Sequence, residues 1–204
     1  MNKSTNVEKF EQLLKSTNRE GMDGLIEFIR KSDFYTAPAS TRFHSCHEGG
    51  LLEHTLFVYE RLSEKLNDKL WSEKFDIKKE NIIISALLHD LWKTYFYGAE
   101  LRNKKVYSEH GTKSDNNGRF DWVTAPVYIV DDKIPYGHGE KSVMMAEEFI
   151  KLEPVEKYAI RWHMGFSEPK EVLKTLGCAI RKHPLILALH ESDLEATYLL
   201  EEEE

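Results

Sequence analysis

Residues 81–92 are apolar on nearly every side, apart from the polar pair His89-Asp90 near their end. A helix without a polar face is typical of the centre of a bundle, because no side of it favours water. The segment therefore predicts a central helix in an α-helical fold. His89 and Asp90 would then lie inside the protein, where an ionised carboxylate is costly unless a partner neutralises its charge.

Further helices are predicted on both sides of this central segment. Apolar residues recur at three- and four-residue steps over residues 51–66, which indicates a longer helix with one buried face. An irregular stretch, residues 41–50, precedes it. Shorter helices are predicted from helical spacing, or from a proline at the first turn, over residues 7–16, 24–31, 139–151, 154–163 and 184–200.

Residues 95–130 differ in composition from the helical segments. They are rich in Gly, Asn and Lys, include the turn signal Asp-Asn-Asn-Gly at 115–118, and carry several β-forming residues. This pattern predicts a small β-hairpin or arm inserted into an all-α bundle. The chain has 204 residues, and at roughly 150 residues per domain it is predicted to form one domain, 1–204, with its core at 41–200.

Charge and composition exclude several classes of protein. The net charge of −7 disfavours a surface dedicated to coating DNA or a membrane. The longest nearly apolar run, 82–88, is far shorter than the ~20 residues of a membrane span. The N-terminus lacks the apolar core of a signal peptide, and two cysteines suit a reducing compartment, so a cytoplasmic location is expected. The acidic run 201–204 is predicted to be a solvated tail.

The residues that carry chemistry are His54, the pair His89-Asp90, and Asp193, each on a different predicted helix. Each interrupts or borders an apolar face, so the helices would bring them together inside the bundle. Such a group is mutually unfavourable without a cation, and imidazole with carboxylate suits Mn²⁺, Fe, Co²⁺, Ni²⁺ or Zn²⁺. Mg²⁺ stays open, although it prefers more oxygen ligands. The alternative is that each residue is only a satisfied polar group in a core.

The segments Gly-Gly-Leu-Leu-Glu-His-Thr at 49–55 and Leu-Leu-His-Asp-x-x-Lys at 87–93 resemble those of the HD-domain metal-dependent phosphohydrolase superfamily. The family pattern is H…HD…D on an all-α bundle, and the match runs from His54 to Asp193. The segments are also similar to the HD domains of bacterial 3′→5′ exoribonucleases and to small stand-alone HD hydrolases. The resemblance implies an HD-domain bundle with a divalent metal held by His54, His89, Asp90 and Asp193.

Two further histidines match the binuclear branch of this family. His138 lies between two glycines at the start of a predicted helix, and His163 lies at the end of another. In that branch such histidines bind a second metal, with Asp90 bridging the two ions. The alternative is that His138 is a turn residue or an N-terminal helix cap, and that His163 is a helix-end cation. One ion and two ions therefore both stay open.

Other residues near the motif are candidates for substrate contacts. Lys93 lies on the same helix face as the His89-Asp90 pair and matches the family's HDxxK lysine, so it would stabilise transition-state charge; the alternative is an ordinary surface lysine. Arg42 could bind phosphate in a bidentate manner, and His47 could donate to phosphate or to the leaving group. Lys141 is a weaker candidate for a residue of the pocket, and His44 is expected to lie beside the pocket. His110, His183 and His190 are expected to be solvated or locally bonded.

The predicted function is metal-dependent hydrolysis of phosphomonoester or phosphodiester bonds in nucleotides or nucleic acid, by a metal-activated water. Asp90 and Lys93 would be the catalytic residues. The expected partner is a phosphorylated small molecule or nucleotide. Two alternatives stay open for the 95–130 arm: it could bind a single-stranded oligonucleotide, or it could pack against a second subunit. The rival hypotheses are a non-catalytic regulatory HD module that binds metal or nucleotide, and a structural scaffold with incidental histidines.

Overall fold

The computed structural model describes residues 3–42 and 45–201. These ranges form a helical bundle with one inserted three-stranded sheet. The helices are α1 (Lys3–Ser16), α2 (Met22–Lys31), α3 (Gly50–Asn67), α4 (Lys69–Ser72), α5 (Lys79–Leu88), α6 (Gly139–Glu147), α7 (Pro154–Arg161), α8 (Leu173–Lys182) and α9 (Leu185–Glu195). The strands are β1 (Tyr97–Tyr107), β2 (Lys113–Asp115) and β3 (Gly118–Val130).

Helix α5 is the centre of the bundle, as its apolar sequence predicts. Seven of its ten residues are buried, and α3 and α7 pack against it. Helix α3 also packs along α9, so one apolar layer is shared by α3, α5, α7 and α9. A second layer joins α5 and α3 to α1, α2 and α6. The two layers meet at α3 and α5, which are therefore the most constrained elements of the fold.

The central helix ends earlier than its apolar pattern indicates. The α-helix stops at Leu88, His89 keeps helical dihedrals, and Asp90 takes φ −102° and ψ 17°. That conformation is sparsely populated and common at active sites. Leu91–Lys93 then forms a single 3₁₀ turn, where the sequence predicted a continuous helix to residue 92. Hydrophobicity reports burial, and it does not report where the helical hydrogen bonds end.

The predicted β insertion is confirmed. Strand β1 pairs antiparallel with β3 from Tyr97↔Val130 to Tyr107↔Phe120, and β2 pairs with the start of β3, which gives the order β1-β3-β2. The strands form a ribbon. Among the described residues, its extensive contacts are between its own strands. One face carries exposed apolar side chains, including Leu101 at 72% and Trp122 at 50% exposure.

Three features near the C-terminus differ from the sequence predictions. Helix α8 was not predicted, yet its buried Leu176 and Ala179 pack with Trp162 and Ile186 in a small cluster. The predicted helix 184–200 is divided into α9 and a wider π-helical turn, Ala196–Leu200. The expected solvated tail is wrong at its first residue, because the Glu201 side chain is fully buried. Residues 202–204 lie outside the described ranges.

Within the described residues, no helix is both long and apolar enough to cross a membrane.

Candidate metal centre

Three packed helices bring four predicted ligands together. His54 is on α3, the pair His89-Asp90 is at the end of α5, and Asp193 is on α9. The Nε2 atom of His54 lies 3.2 Å from Oδ1 of Asp193 and 3.5 Å from Oδ2 of Asp90. One ligand atom each from His54, His89 and Asp193 lies within 4.8 Å of the others, a spacing that suits a shared cation.

The His89 imidazole is set up to accept a cation. Its Nδ1 lies 2.7 Å from the carbonyl oxygen of Ala86, so Nδ1 carries the proton and donates, which leaves the lone pair on Nε2. Nε2 is buried and has no hydrogen-bond partner among the described residues. Burial lowers the pKa of His89 to about 4, so the ring is neutral at pH 7. A buried, unsatisfied nitrogen beside two carboxylates fits a divalent metal, and a hydrophobic packing role would leave it unexplained.

Asp90 is the residue that all the other groups surround. Its Oδ1 accepts a hydrogen bond from Nε1 of Trp92 at 2.7 Å and lies 3.6 Å from Nε2 of His163. Its Oδ2 lies 2.6 Å from Nζ of Lys93. Burial opposes ionisation of this carboxyl, but Lys93 and the neighbouring histidines outweigh it and hold the pKa of Asp90 well below its usual range. Asp90 is therefore an anion whose Oδ1 faces Trp92 and His163 and whose Oδ2 faces Lys93.

His54 carries the positive charge that balances these carboxylates when no metal does. Burial opposes its protonation, but hydrogen bonds to Asp193 and Glu201 outweigh burial and raise the pKa of His54 to about 10. The interaction with His54 also overcomes burial at Asp193 and lowers the pKa of that carboxyl. Because a metal can bind only the deprotonated ring, the proton on His54 occupies the place that a cation would take.

His163 and His138 lie next to this group, in different settings. The ring centroids of His163 and His89 are 5.1 Å apart, and Nδ1 of His163 donates to the carbonyl of Ile160 at 2.7 Å. His138 stacks on Trp92 with centroids 4.2 Å apart, and only part of its surface is exposed. Burial lowers the pKa of His138 below its usual value. Among the described residues, the compact candidate metal group of His54, His89 and Asp193 includes neither histidine.

Gly139, the first residue of α6, explains how this helix comes close to the end of α7. A Cβ atom at Gly139 would lie 2.4 Å from the carbonyl oxygen of Arg161, inside van der Waals contact with the end of α7. The first turn of α6 therefore rests directly on the last turn of α7. The glycine next to His138 in the sequence serves this close approach of the two helices.

A cavity of about 600 Å³ opens beside the candidate metal ligands Asp90 and Asp193. It is within the usual size range of small-molecule sites. Asp90, Lys93, His163 and Asp193 line its base, and the wall is largely aromatic or apolar: Trp92, Phe96, Tyr97, Val130, Met164, Leu194 and Tyr198. Lys93 is buried against Asp90, and Asp90 outweighs burial to raise the pKa of Lys93 to about 12, so the lysine is charged at the base of the cavity.

The predicted substrate-binding residues lie outside this lining. Arg42 is exposed, and the cavity wall nearby comes from Ala39, Ser40 and Thr41 instead. His47 lies 3.5 Å from Glu53 through its Nε2. The Lys141 side chain is fully buried, with Nζ 2.7 Å from Oδ1 of Asp132. His44 falls outside the described residues, so its place beside the site stays a prediction.

Sequence reasoning missed two residues of the site. His190, expected to be incidental, lines the cavity and donates from Nδ1 to the carbonyl of His163 at 2.9 Å. Its position three residues before Asp193, on one helix face, was the available signal. Glu201, expected in the solvated tail, places Oε1 2.6 Å from Nδ1 of His54. Hydrophobic periodicity does not predict the burial of Glu201, because this residue follows the end of the last helix.

Comparison with known proteins agrees with this geometry. A family model described as HD domain matches residues 51–199, and the chain belongs to the HD-domain phosphohydrolase superfamily. Members of this superfamily bind divalent metals. The chain is similar to dihydroneopterin 2′,3′-cyclic phosphate phosphodiesterase of Methanocaldococcus jannaschii, with 43% identity over 63 residues. That match covers 30% of this chain and 24% of the relative. No solved structure matches this chain.

Proposed function

We propose that this chain is a metal-dependent phosphohydrolase that cleaves a phosphoester of a small, ring-containing molecule, with a phosphodiester as the first candidate. The observation that carries the proposal is the His89 Nε2 atom, buried and unsatisfied beside the carboxylates of Asp90 and Asp193. His54, His89, Asp90 and Asp193 would hold the first divalent cation. His163, 3.6 Å from Oδ1 of Asp90, and His138, which stacks on Trp92 at the cavity, are the candidates for a second.

The chemistry follows from charges at the base of the cavity. A bound divalent cation would bring the pKa of a coordinated water toward neutrality and would neutralise phosphoryl charge. Lys93 supplies a fixed positive charge, held within 2.6 Å of Asp90, where a phosphoryl group would accumulate negative charge. His138, with a lowered pKa, is a neutral imidazole at the cavity that could accept a proton and then, as the imidazolium, give it to a leaving group.

The substrate class is argued from the cavity wall. Phe96, Tyr97 and Trp92 offer aromatic surfaces beside the charged base, in a space of about 600 Å³ that suits one small molecule. The similar archaeal protein acts, by its name, on a cyclic phosphate of a ring-containing molecule, which supports a diester here. The acidic net charge also favours a small phosphorylated molecule over a long polymer.

A substrate panel tests the proposal. Protein purified without affinity metals would be analysed for bound metal, and then assayed with Mn²⁺ on cyclic nucleotides, mononucleotides, bis-p-nitrophenyl phosphate and short oligonucleotides. We expect turnover of at least one phosphoester and a loss of at least 100-fold in Asp90→Asn. The control is Asp76→Asn, an exposed aspartate that should leave turnover unchanged.

Two results would contradict the proposal. Stoichiometric metal without turnover of any phosphoester would favour the non-catalytic regulatory module. Full turnover in metal-free Asp90→Asn protein would exclude the metal-dependent mechanism. If an oligonucleotide is cleaved, a salt titration identifies the mode of binding, because a phosphate-tracking arm requires steep salt dependence.

A further inference from the structure

The buried histidines of the centre have two kinds of Nδ1 partner. His89 and His163 each donate to a carbonyl three residues earlier, Ala86 and Ile160, at 2.7 Å. Both lie where an α-helix ends, and carbonyls there lack the intrahelical partners of the helix interior. His54 differs, because its Nδ1 contacts the Glu201 carboxylate at 2.6 Å.

The position of His54 explains why it needs a partner from elsewhere. It lies in the fifth position of α3, an 18-residue helix, where local carbonyls already accept bonds from the helix itself. No helix end is available to hold its ring in one orientation. A side chain from another element must therefore do so.

The end of α9 delivers that side chain. After α9 the chain widens into the π-helical turn Ala196–Leu200, and the Glu201 N–H then donates to the Ala196 carbonyl at 3.2 Å. Such wide turns are rare and are frequently found at functional sites. Glu201 is in an extended conformation, and its carboxylate is fully buried against α3. A buried carboxylate is costly unless it is paired, and the partner that it meets is a predicted metal ligand.

We propose that Glu201 is a positioning residue that holds His54 in the Nδ1–H tautomer, with Nε2 aimed at Asp90 and Asp193. A carboxylate behind a metal-binding imidazole fixes its orientation and strengthens it as a donor. Glu201 lies behind the ring, because it meets Nδ1 while Nε2 is the atom 3.2 Å from Asp193. The inference rests on the proposed metal-dependent function, since it assigns a role toward the same cation.

The test measures Mn²⁺ binding to full-length metal-free protein by titration calorimetry. Glu201→Ala should raise the Mn²⁺ dissociation constant by about 10- to 100-fold, the range seen when a hydrogen-bond partner behind a metal ligand is removed. Glu201→Gln keeps an oxygen acceptor but removes the charge, so we expect a loss of about three- to tenfold. The absorption spectrum of bound Co²⁺ should change in Glu201→Ala and stay close to wild type in Glu201→Gln.

A matched control separates positioning from general anchoring of the C-terminal segment. Glu195, at the end of α9, also ties this helix to α3, through ion pairs with Arg61 and Lys65 at 3.0 and 2.7 Å, whereas the carboxylates paired with His54 are those of Asp90, Asp193 and Glu201. Glu195→Gln should lower the melting temperature of the metal-free protein and leave the Mn²⁺ dissociation constant within twofold. Equal weakening of Mn²⁺ binding in Glu201→Ala and Glu195→Gln would overturn the inference.

The remaining outcomes are also decisive. An unchanged dissociation constant in Glu201→Ala overturns the inference, and if that variant does not fold, an unchanged value in Glu201→Gln does so. Wild-type protein that binds Mn²⁺ without hydrolysing any phosphoester, together with weakened binding in the Glu201 variants, supports the inference while the proposed function fails. Wild-type protein that hydrolyses substrate, with unweakened Mn²⁺ binding in both variants, keeps the function and overturns the inference. Failure of wild-type protein to bind metal overturns both.

Discussion

A single glycine determines where the His190 ring can lie. Gly165 has a φ of +54°, and a Cβ atom there would be 2.4 Å from the His190 ring. The absence of a side chain thus lets α9 approach the segment that carries His163. The carbonyl of His163 in turn orients His190, so packing and hydrogen bonding act on the same contact.

Two alanine substitutions separate this contact from the general effect of replacing glycine. Gly165→Ala should destabilise the fold by about 2–3 kcal/mol, because the ring must move and the backbone is strained. Gly177→Ala, inside α8, meets nothing within 4 Å and should stabilise by about 0.5–1 kcal/mol through helix propensity. Urea denaturation measures both changes, and a neutral Gly165→Ala would contradict the close packing of His190.

The buried pair Lys141–Asp132 distinguishes a structural lysine from a substrate-binding one. Lys141 is fully buried, whereas Asp132 has 21% of its side chain exposed. Burial opposes the ionisation of Asp132, but the bond from Lys141 outweighs it and lowers the pKa of that carboxyl. The lysine thus stabilises the segment between β3 and α6, and a role toward substrate stays a prediction.

Lys141→Gln should cost about 2 kcal/mol of folding free energy at pH 7, because it breaks a buried ion pair. The Asp132 pKa is lowered on folding, so the pair contributes its full stability above the unfolded pKa of about 4 and loses it as the pH falls further. The penalty of Lys141→Gln should therefore shrink between pH 5 and pH 3 in denaturant titrations. A raised Michaelis constant with unchanged stability would instead favour substrate binding.

At the scale of elements, the β ribbon is an addition to a complete helical bundle. Its first and last residues, Tyr97 and Val130, line the cavity, but the rest of its extensive packing in the described ranges is between its own strands. Long two-stranded ribbons are marginally stable alone, and the third strand covers only the far end. The ribbon therefore depends on the bundle far more than the bundle depends on it.

Excision of the ribbon tests this hierarchy. Ala99 and Tyr128 are opposite partners in the ladder, so an Asn-Gly turn can join them in place of residues 100–127. We expect helical circular dichroism, cooperative unfolding and an Mn²⁺ affinity within threefold of wild type. Loss of cooperative unfolding would show that the ribbon stabilises the bundle. Loss of oligonucleotide cleavage alone would assign the ribbon a role in holding a strand.

At the scale of the whole molecule, the sequence predicted what depends on burial and periodicity. The central helix, the β insertion and the convergence of His54, His89, Asp90 and Asp193 follow from apolar patterns and from polar residues that interrupt them. The end of α5 at Leu88 and the π-helical turn depend on backbone hydrogen bonding, which leaves no hydrophobic signature. Glu201 contacts a residue 147 positions away, and such a contact is set by how α9 packs on α3.

The same convergence would couple metal binding at the candidate site to global stability. Because the ligands come from α3, α5 and α9, a cation bound to the folded site has no equivalent in the unfolded chain and must stabilise the whole bundle. At a free Mn²⁺ concentration 100 times the dissociation constant, the gain is about 2.7 kcal/mol. For a chain of this size that corresponds to a rise in melting temperature of about 5–10 °C, measured by scanning calorimetry with and without a chelator. His89→Ala should abolish the rise, since it removes the unsatisfied Nε2 lone pair, whereas His183→Ala, at a ring stacked on Tyr158 outside the cavity, should retain it. An equal rise in wild type and His89→Ala would mean that Mn²⁺ binds elsewhere, and that the buried nitrogen needs another explanation.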